Sequence, residues 1–252
     1  MTTDATDASR SRQPELRGQT VVVIGGSAGI GLETARRARA EGADVVLTGR
    51  NPARLREAAR DVGARSSAAF DANDLDSLKR FFDDLPGPID HILVTAGRPH
   101  YGPLLEMDFD AVRTALSQRM VLALAVARDA APKMRPGGTL LLVGGTDGFR
   151  VRPGSGIVPA AISALPPFTA SLALELAPVR VNLIAPGFVD TSLSASLLGD
   201  ELDARREELR TTLPIGRVVG PGDVAALAIQ LMANTAITGA TYDIDGGQRF
   251  VA

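Results

Sequence analysis

Residues 21–31 read Val21-Val22-Val23-Ile24-Gly25-Gly26-Ser27-Ala28-Gly29-Ile30-Gly31, an apolar run, a glycine turn, and the start of an Ala- and Arg-rich segment with helical spacing. Four consecutive branched residues suit a strand buried on both faces. Glycine permits the tight turn and lets backbone N–H groups approach a pyrophosphate. The helix that follows adds the partial positive charge of its N-terminus. In this position the turn reads as dinucleotide-binding, through Gly25, Ser27, Gly29, Ile30 and Gly31. The alternative is a turn built of glycine for packing alone.

Similar short apolar runs recur at Val45-Val46-Leu47, Ile92-Leu93-Val94, Leu140-Leu141-Leu142-Val143 and Val181-Asn182-Leu183-Ile184. Between them lie segments with helical spacing, at about 30–41, 52–61, 74–84, 108–134 and 160–177. Strand–helix alternation of this kind predicts βαβ units, hence an α/β fold with a doubly wound parallel sheet, the Rossmann arrangement. No linker or repeat divides residues 16–252, so they read as one domain, preceded by a disordered tail over 1–15. A Ser/Leu-rich and then charged stretch near 190–213 interrupts the alternation after the run at 181–184. Ligands of open sheets sit at the carboxyl ends of strands, so this insertion is expected to form a lid.

The strand at 45–47 ends in Thr48-Gly49-Arg50-Asn51. An acid at this point would bind a ribose 2′-OH, whereas an Arg accommodates a 2′-phosphate. With Arg50 present and the acid missing, NADP(H) is favoured over NAD(H). The alternative is a solvated Arg at a strand end.

With these residues in view, the chain resembles the short-chain dehydrogenase/reductase family from about Arg17 to Gly247. The glycine turn is similar to the family's TGxxxGxG motif, with Ile24 in place of its threonine. The resemblance implies that Asp71 meets the adenine ring. It also sets Val94-Thr95-Ala96-Gly97 where the family has NNAG, so that Ala96 and Gly97 are the retained half. Pro186-Gly187-Phe188-Val189-Asp190-Thr191 is similar to the PGxxxT segment, which implies contacts from Val189 and Thr191 to the nicotinamide carboxamide. Thr238-Gly239 and Asp245-Gly246-Gly247 resemble the family's closing strand.

The catalytic positions depart from the pattern. The family uses a Ser after its fifth strand and a YxxxK pair on the next helix. Anchored on Leu172-Ala173-Leu174-Glu175-Leu176, the Tyr position falls on Val158 and the Lys position on Ile162. The only tyrosines are Tyr101 and Tyr242 and the only lysines Lys79 and Lys133, so the chain contains no Y-x-x-x-K at all. The Ser position falls on Gly145 beside Thr146, and the family's helix Asn aligns at Arg119. Hydride addition to a ketone creates an alkoxide that an acid must protonate, a contribution of about 10²–10⁴-fold. Val158 and Ile162 supply none of it.

Thr146 could orient a substrate oxygen, or be a turn residue. Arg119 could bond the ribose, or pair with a carboxylate at a subunit interface. A guanidinium with a pKa above ~12 is no proton donor. Asp147 would be an acid only if burial raised its pKa. His100 and Tyr101, in the loop after the fourth strand, could each donate a proton or serve loop packing. His91 and Tyr242 read as structural. Pro166 and Pro167 predict a bend or a helix start inside 160–177.

Composition narrows the classes. Twenty-seven basic against twenty-nine acidic residues give a net charge of −2, no footprint for nucleic acid. The absence of cysteine and the presence of only two histidines exclude disulfides, thiolate chemistry and multi-His metal sites. No apolar run reaches membrane length and the N-terminus lacks a signal segment, so the expected location is the cytoplasm. The long apolar helices predict a homodimer or homotetramer. Two functions from different classes fit. One is an NADP(H)-dependent oxidoreductase with non-standard acid chemistry, acting on a small molecule such as an imine, an iminium or another activated acceptor. The other is a catalytically silent NADP(H)-binding sensor or partner subunit.

Overall fold

The computed structural model describes residues 15–146, 148 and 151–251. The tail expected over 1–15 lies almost wholly outside them, and so does Asp147. Seven strands form one parallel sheet: β1 (Thr20–Ile24), β2 (Asp44–Gly49), β3 (Ser66–Ala69), β4 (Ile89–Val94), β5 (Met134–Val143), β6 (Arg180–Pro186) and β7 (Thr241–Ile244), in the order β3-β2-β1-β4-β5-β6-β7. The helices between them are α1 (Gly29–Ala40), α2 (Pro52–Val62), α3 (Leu75–Asp84), α4 (Phe109–Ala130), α5 (Val158–Ser163), α6 (Leu165–Glu175), α7 (Ser192–Leu198), α8 (Leu202–Thr212) and α9 (Pro221–Ala233). This is the doubly wound fold that the apolar runs predict.

Alternate residues of β1 feed two cores, as strand geometry requires. Val22 and Ile24 join Leu78 and Phe82 of α3 and Leu122 and Val126 of α4 on one face. Val21 and Val23 join Ala35 and Ala38 of α1, Leu55 of α2 and Val224 of α9 on the other. The chain leaves β1 toward β2 and returns through β4 on its other side, so the loops after β1 and β4 diverge there. That is the switch point at which such sheets open a crevice.

Two elements differ from the sequence reading. β3 is a short, mostly exposed edge strand, Ser66-Ser67-Ala68-Ala69, and so has no apolar run to announce it. The expected helix 160–177 is two helices that part at Ala164. Pro166 and Pro167 occupy the first turn of α6, where the missing N–H groups have no intrahelical acceptor anyway. The prolines therefore start a helix instead of bending one.

Below the sheet's carboxyl edge, the structure is tied down by buried polar groups. The Arg180 guanidinium donates to the carbonyls of Leu231 and Met232 at 2.8 Å each, and to Gly137 and Ile237 at 3.2 Å, closing the C-terminal end of α9. His91 is buried on β4 with Nε2 2.5 Å from Gln19 Oε1. Burial, with the Arg180 cation nearby, pushes its pKa down to about 3. His91 is thus a neutral structural residue. Among the described residues, no helix is long and apolar enough to cross a membrane.

Candidate active site

At the switch point a single cleft of about 1060 Å³ runs across the carboxyl ends of the strands. Its first wall is the glycine turn. Gly25 has φ +99°, and a Cβ there would stand 2.6 Å from Thr95 Oγ1; a Cβ on Gly31 would stand 2.3 Å from the Gly25 carbonyl. Neither position tolerates a side chain, so the turn and α1 pack without a gap. Thr95 ties this turn to the loop after β4, its N–H donating to the Ile24 carbonyl at 2.9 Å and its hydroxyl to that of Gly25 at 3.0 Å.

α1 starts at the cleft with no side-chain cap and no acid in its first turn. Its leading N–H groups are left for a ligand, and a helix N-terminus in that state favours an anion. α2, in contrast, is capped by Asn51, whose Oδ1 accepts from Ala53 and Arg54 at 3.0 Å each. That cap sets Arg50 and Arg54 together on the cleft beyond the glycine turn. Arg54 is a cation the sequence reading missed; the signal was the Asn51-Pro52 cap, which places position 54 in the first helical turn. Asp71 also lines this end, with Oδ1 accepting from the backbone and side-chain amides of Asn73 at 3.0 and 2.9 Å. A cradle that a Cβ would fill, an uncapped helix start and two arginines together fit a dinucleotide carrying an extra phosphate.

The other half of the cleft is walled by the loops after β4, β5 and β6. Ala96, Gly97, Pro186, Gly187, Val189 and Thr191 all reach it. Thr191 caps α7, its Oγ1 accepting from Ser194 N at 3.3 Å, while Ser194 Oγ donates to the Val189 carbonyl at 2.9 Å. Gln248, which sequence reasoning missed, also faces the cleft and accepts from Phe188 N at 2.7 Å. Gly187 lies so close beneath it that a Cβ would stand 2.5 Å from Gln248 Oε1. The 190–213 segment folds as α7, a 3-10 turn over Gly199–Glu201, and α8. Leu193, Leu197 and Arg205 from it line the cleft.

Val158 and Ile162 lie one turn apart on α5, both buried and both on the cleft wall. Arg119 of α4 faces the same region. Its Nη1 donates to the Val143 carbonyl at 3.2 Å, and its Cζ is 3.4 Å from where a Cβ on Gly97 would be. Burial pushes this guanidinium below its ordinary pKa, and the nearby Tyr101 acts in the opposite direction. No carboxylate of the described residues pairs with Arg119. Thr146 takes a different place from the other candidates. It is 2% exposed, its N–H donates to the Pro186 carbonyl at 3.0 Å, and it does not line the cleft. Its position suits holding the β5 and β6 loops together rather than touching a substrate. Gly144 and Gly145 form the cleft floor there instead. Among the described residues, no group of His, Asp or Glu is arranged to hold a metal ion.

Comparison with known proteins agrees with this geometry. A family model described as enoyl-(acyl carrier protein) reductase matches residues 25–249. The chain is 30% identical to a short-chain dehydrogenase/reductase of Stachybotrys chlorohalonatus, over 93% of this chain and 98% of that one. It is 29% identical to an NADP-dependent (R)-specific alcohol dehydrogenase of Lentilactobacillus kefiri, over 92% and 97%. Among solved structures, a reductase/Diels-Alderase of Malbranchea aurantiaca superposes with a TM-score of 0.85 at 26% identity, covering 94% of this chain and 99% of that one. A small-chain dehydrogenase in complex with NADPH superposes with a TM-score of 0.79 at 28% identity, covering 92% and 99%.

Proposed function

We propose a reaction for a chain that belongs to the short-chain dehydrogenase/reductase family. It is an NADP(H)-dependent reductase whose acceptor is an imine, an iminium or a similarly activated group rather than a simple ketone. The observation that carries this reading is the pair Val158 and Ile162, hydrocarbon side chains on the cleft wall at the positions the family gives to its acid and its lysine.

The cofactor, when bound, supplies a hydride. Gly25, Ser27, Gly29, Ile30, Gly31 and the open start of α1 would hold its pyrophosphate. Arg50 and Arg54 would hold a 2′-phosphate; the NADP dependence and NADPH complex named for two similar proteins support that preference. Asp71 would sit at the adenine. Ala96, Gly97, Val189 and Thr191 would border the nicotinamide, and Arg119 would reach its ribose.

What remains at the acceptor is a wall of Val158 and Ile162 with one partly buried cation behind it. Reduction of a ketone there creates negative charge with no adjacent strong acid, whereas reduction of an iminium removes charge and leaves a neutral amine. The wall therefore discriminates by the charge that develops, which is where electrostatic catalysis acts.

Val121 and Leu124 of α4 and Leu174 of α6 are 44%, 51% and 82% exposed. Such a face supports a homodimer or homotetramer, which light scattering tests; a monomer at micromolar concentration contradicts it. A cytoplasmic location accompanies this reading. The function itself is tested by NADPH oxidation with a cyclic imine and with a ketone of the same size. Imine reduction well above ketone reduction is expected. Robust ketone reduction by the unaltered protein overturns the reading, and NADPH binding without turnover of either supports the catalytically silent alternative.

A further inference from the structure

Adjoining the cleft at Val158 and Ile162 is a second, much smaller cavity of about 20 Å³. It is lined by Arg98, Pro99 and His100 from the loop after β4, by Ala115, Gln118 and Arg119 of α4, and by Val158, Ala161 and Ile162 of α5. Most of these residues also line the main cleft, so the two spaces share a wall. The volume is that of one water, since about 10–15 Å³ suffices. Its lining is partly apolar, with four polar residues, Arg98, His100, Gln118 and Arg119, around it.

His100 Nδ1 is buried and has no hydrogen-bond partner among the described residues. A buried ring nitrogen left without a partner is destabilising unless something satisfies it. The loop that carries it is fixed. Gly102 N–H donates to the Gly154 carbonyl at 2.8 Å, and Gly102 pairs with Ser155 as an isolated bridge. A Cβ on Gly156 would stand 3.2 Å from the His100 carbonyl and 3.1 Å from that of Gly102. The backbone that carries the ring is therefore packed against the segment that leads into α5. Arg119 already uses one N–H on Val143, and a guanidinium has four more to offer.

Resting on the imine reading above, we propose that this cavity holds an ordered water between His100 Nδ1 and Arg119, and that His100 delivers through it the proton that turns a neutral imine into the iminium to be reduced. Proton and hydride balance as follows. The His100 N–H bond breaks and a water O–H forms, while the same water gives its other hydrogen to the imine nitrogen. The hydride from the reduced nicotinamide then adds to carbon. The products are the amine, the oxidised nicotinamide and a neutral imidazole that solvent reprotonates. In the relay Arg119 acts on the water: by donating to its oxygen, it makes the water a stronger donor through its own hydrogens. His100 shares its small cavity with Arg98 and Arg119, and Tyr101 and Arg152 line the adjoining cleft beside it. His100 is thus a relay residue on the loop after β4, lining the same small cavity as Arg119 and Ile162.

The test separates this relay from the reading beneath it. Two acceptors are compared with NADPH, a neutral cyclic imine and its permanently cationic N-methyl iminium salt. His100→Gln, which keeps a polar side chain but cannot titrate, should slow the neutral imine at least about tenfold and leave the N-methyl iminium unchanged. Equal loss on both, or no loss on either, overturns the relay while leaving the imine reading intact. Failure of the unaltered protein to reduce either acceptor overturns both. A readout apart from activity is a crystal structure that resolves waters. Density within hydrogen-bond distance of both His100 Nδ1 and the Arg119 guanidinium is expected, and a dry cavity overturns the relay whatever the rates.

Discussion

The two halves of the cleft are built by different means. Around α1 and α2 the ligand surface is backbone: glycines that admit no Cβ, an uncapped helix start, and arginines set by a capped turn. Around α4 and α5 the cleft surface is side chain: Val158, Ile162 and Arg119. Backbone recognition depends on shape, and any sequence that keeps the glycines keeps it. Side-chain chemistry is lost with a single substitution and leaves the fold untouched. Cofactor holding and acid chemistry are therefore separable in this scaffold.

The strongest way to break that contrast is to restore the pair. Val158→Tyr with Ile162→Lys puts an acid and an amine on one face of α5, and the prolines do not interfere because they belong to α6. Ketone reduction should rise by roughly 10²-fold or more, the lower end of what general acid catalysis contributes. Initial rates of NADPH oxidation measure it. An unchanged rate would mean that the two halves differ in something other than these side chains.

Both halves rest on one sheet, and acidification probes that common base through His91. Its pKa is about 3 in the folded protein against an ordinary 6.5, so the unfolded chain binds a proton that the folded one refuses. Stability should be complete above pH 6.5 and fall as pH drops toward 3, by a few kcal/mol in total. His91→Gln should flatten that slope in urea titrations at pH 7 and pH 4.5. An equal slope in the variant would assign the acid sensitivity to carboxylates.

Within the half around α1 and α2, Arg50 and Arg54 are the basic side chains on the cleft, and the proposed NADPH preference is tested at Arg50. Arg50→Ala should lower the preference for NADPH over NADH by about ten- to hundredfold, the worth of one or two charge-assisted bonds. Fluorescence titration with each cofactor reads it, and an unaltered ratio would transfer the role to Arg54. The smallest effect is expected at Arg119. Its replacement by Ala should weaken NADPH binding by roughly three- to tenfold if the guanidinium reaches the ribose. Unchanged binding, with loss of imine reduction alone, would confine Arg119 to the acceptor half.

Much of this was legible along the chain. The glycine turn, Arg50, the PGxxxT-like segment and the empty YxxxK positions all concern local patterns, because glycine spacing and buried strands are dictated by steric and solvent rules that act over a few residues. β3 was not legible as an apolar run because an edge strand of Ser and Ala need not be apolar. Pro166 and Pro167 declared a helix boundary, but only packing against β5 and β6 decided that it falls at Ala164. Thr146 and His100 show the limit most sharply. Both sit in loops after strands and both carry polar groups that sequence alone allows to reach a substrate. The tertiary structure turns Thr146 inward beneath the cleft and leaves His100 at a cavity shared with Arg119. Residue types and their order determined the fold and the glycine turn at its switch point. Which polar side chains meet across the sheet's edge was decided by elements far apart in sequence, because a contact between α4, α5 and the loop after β4 exists only once all three have packed.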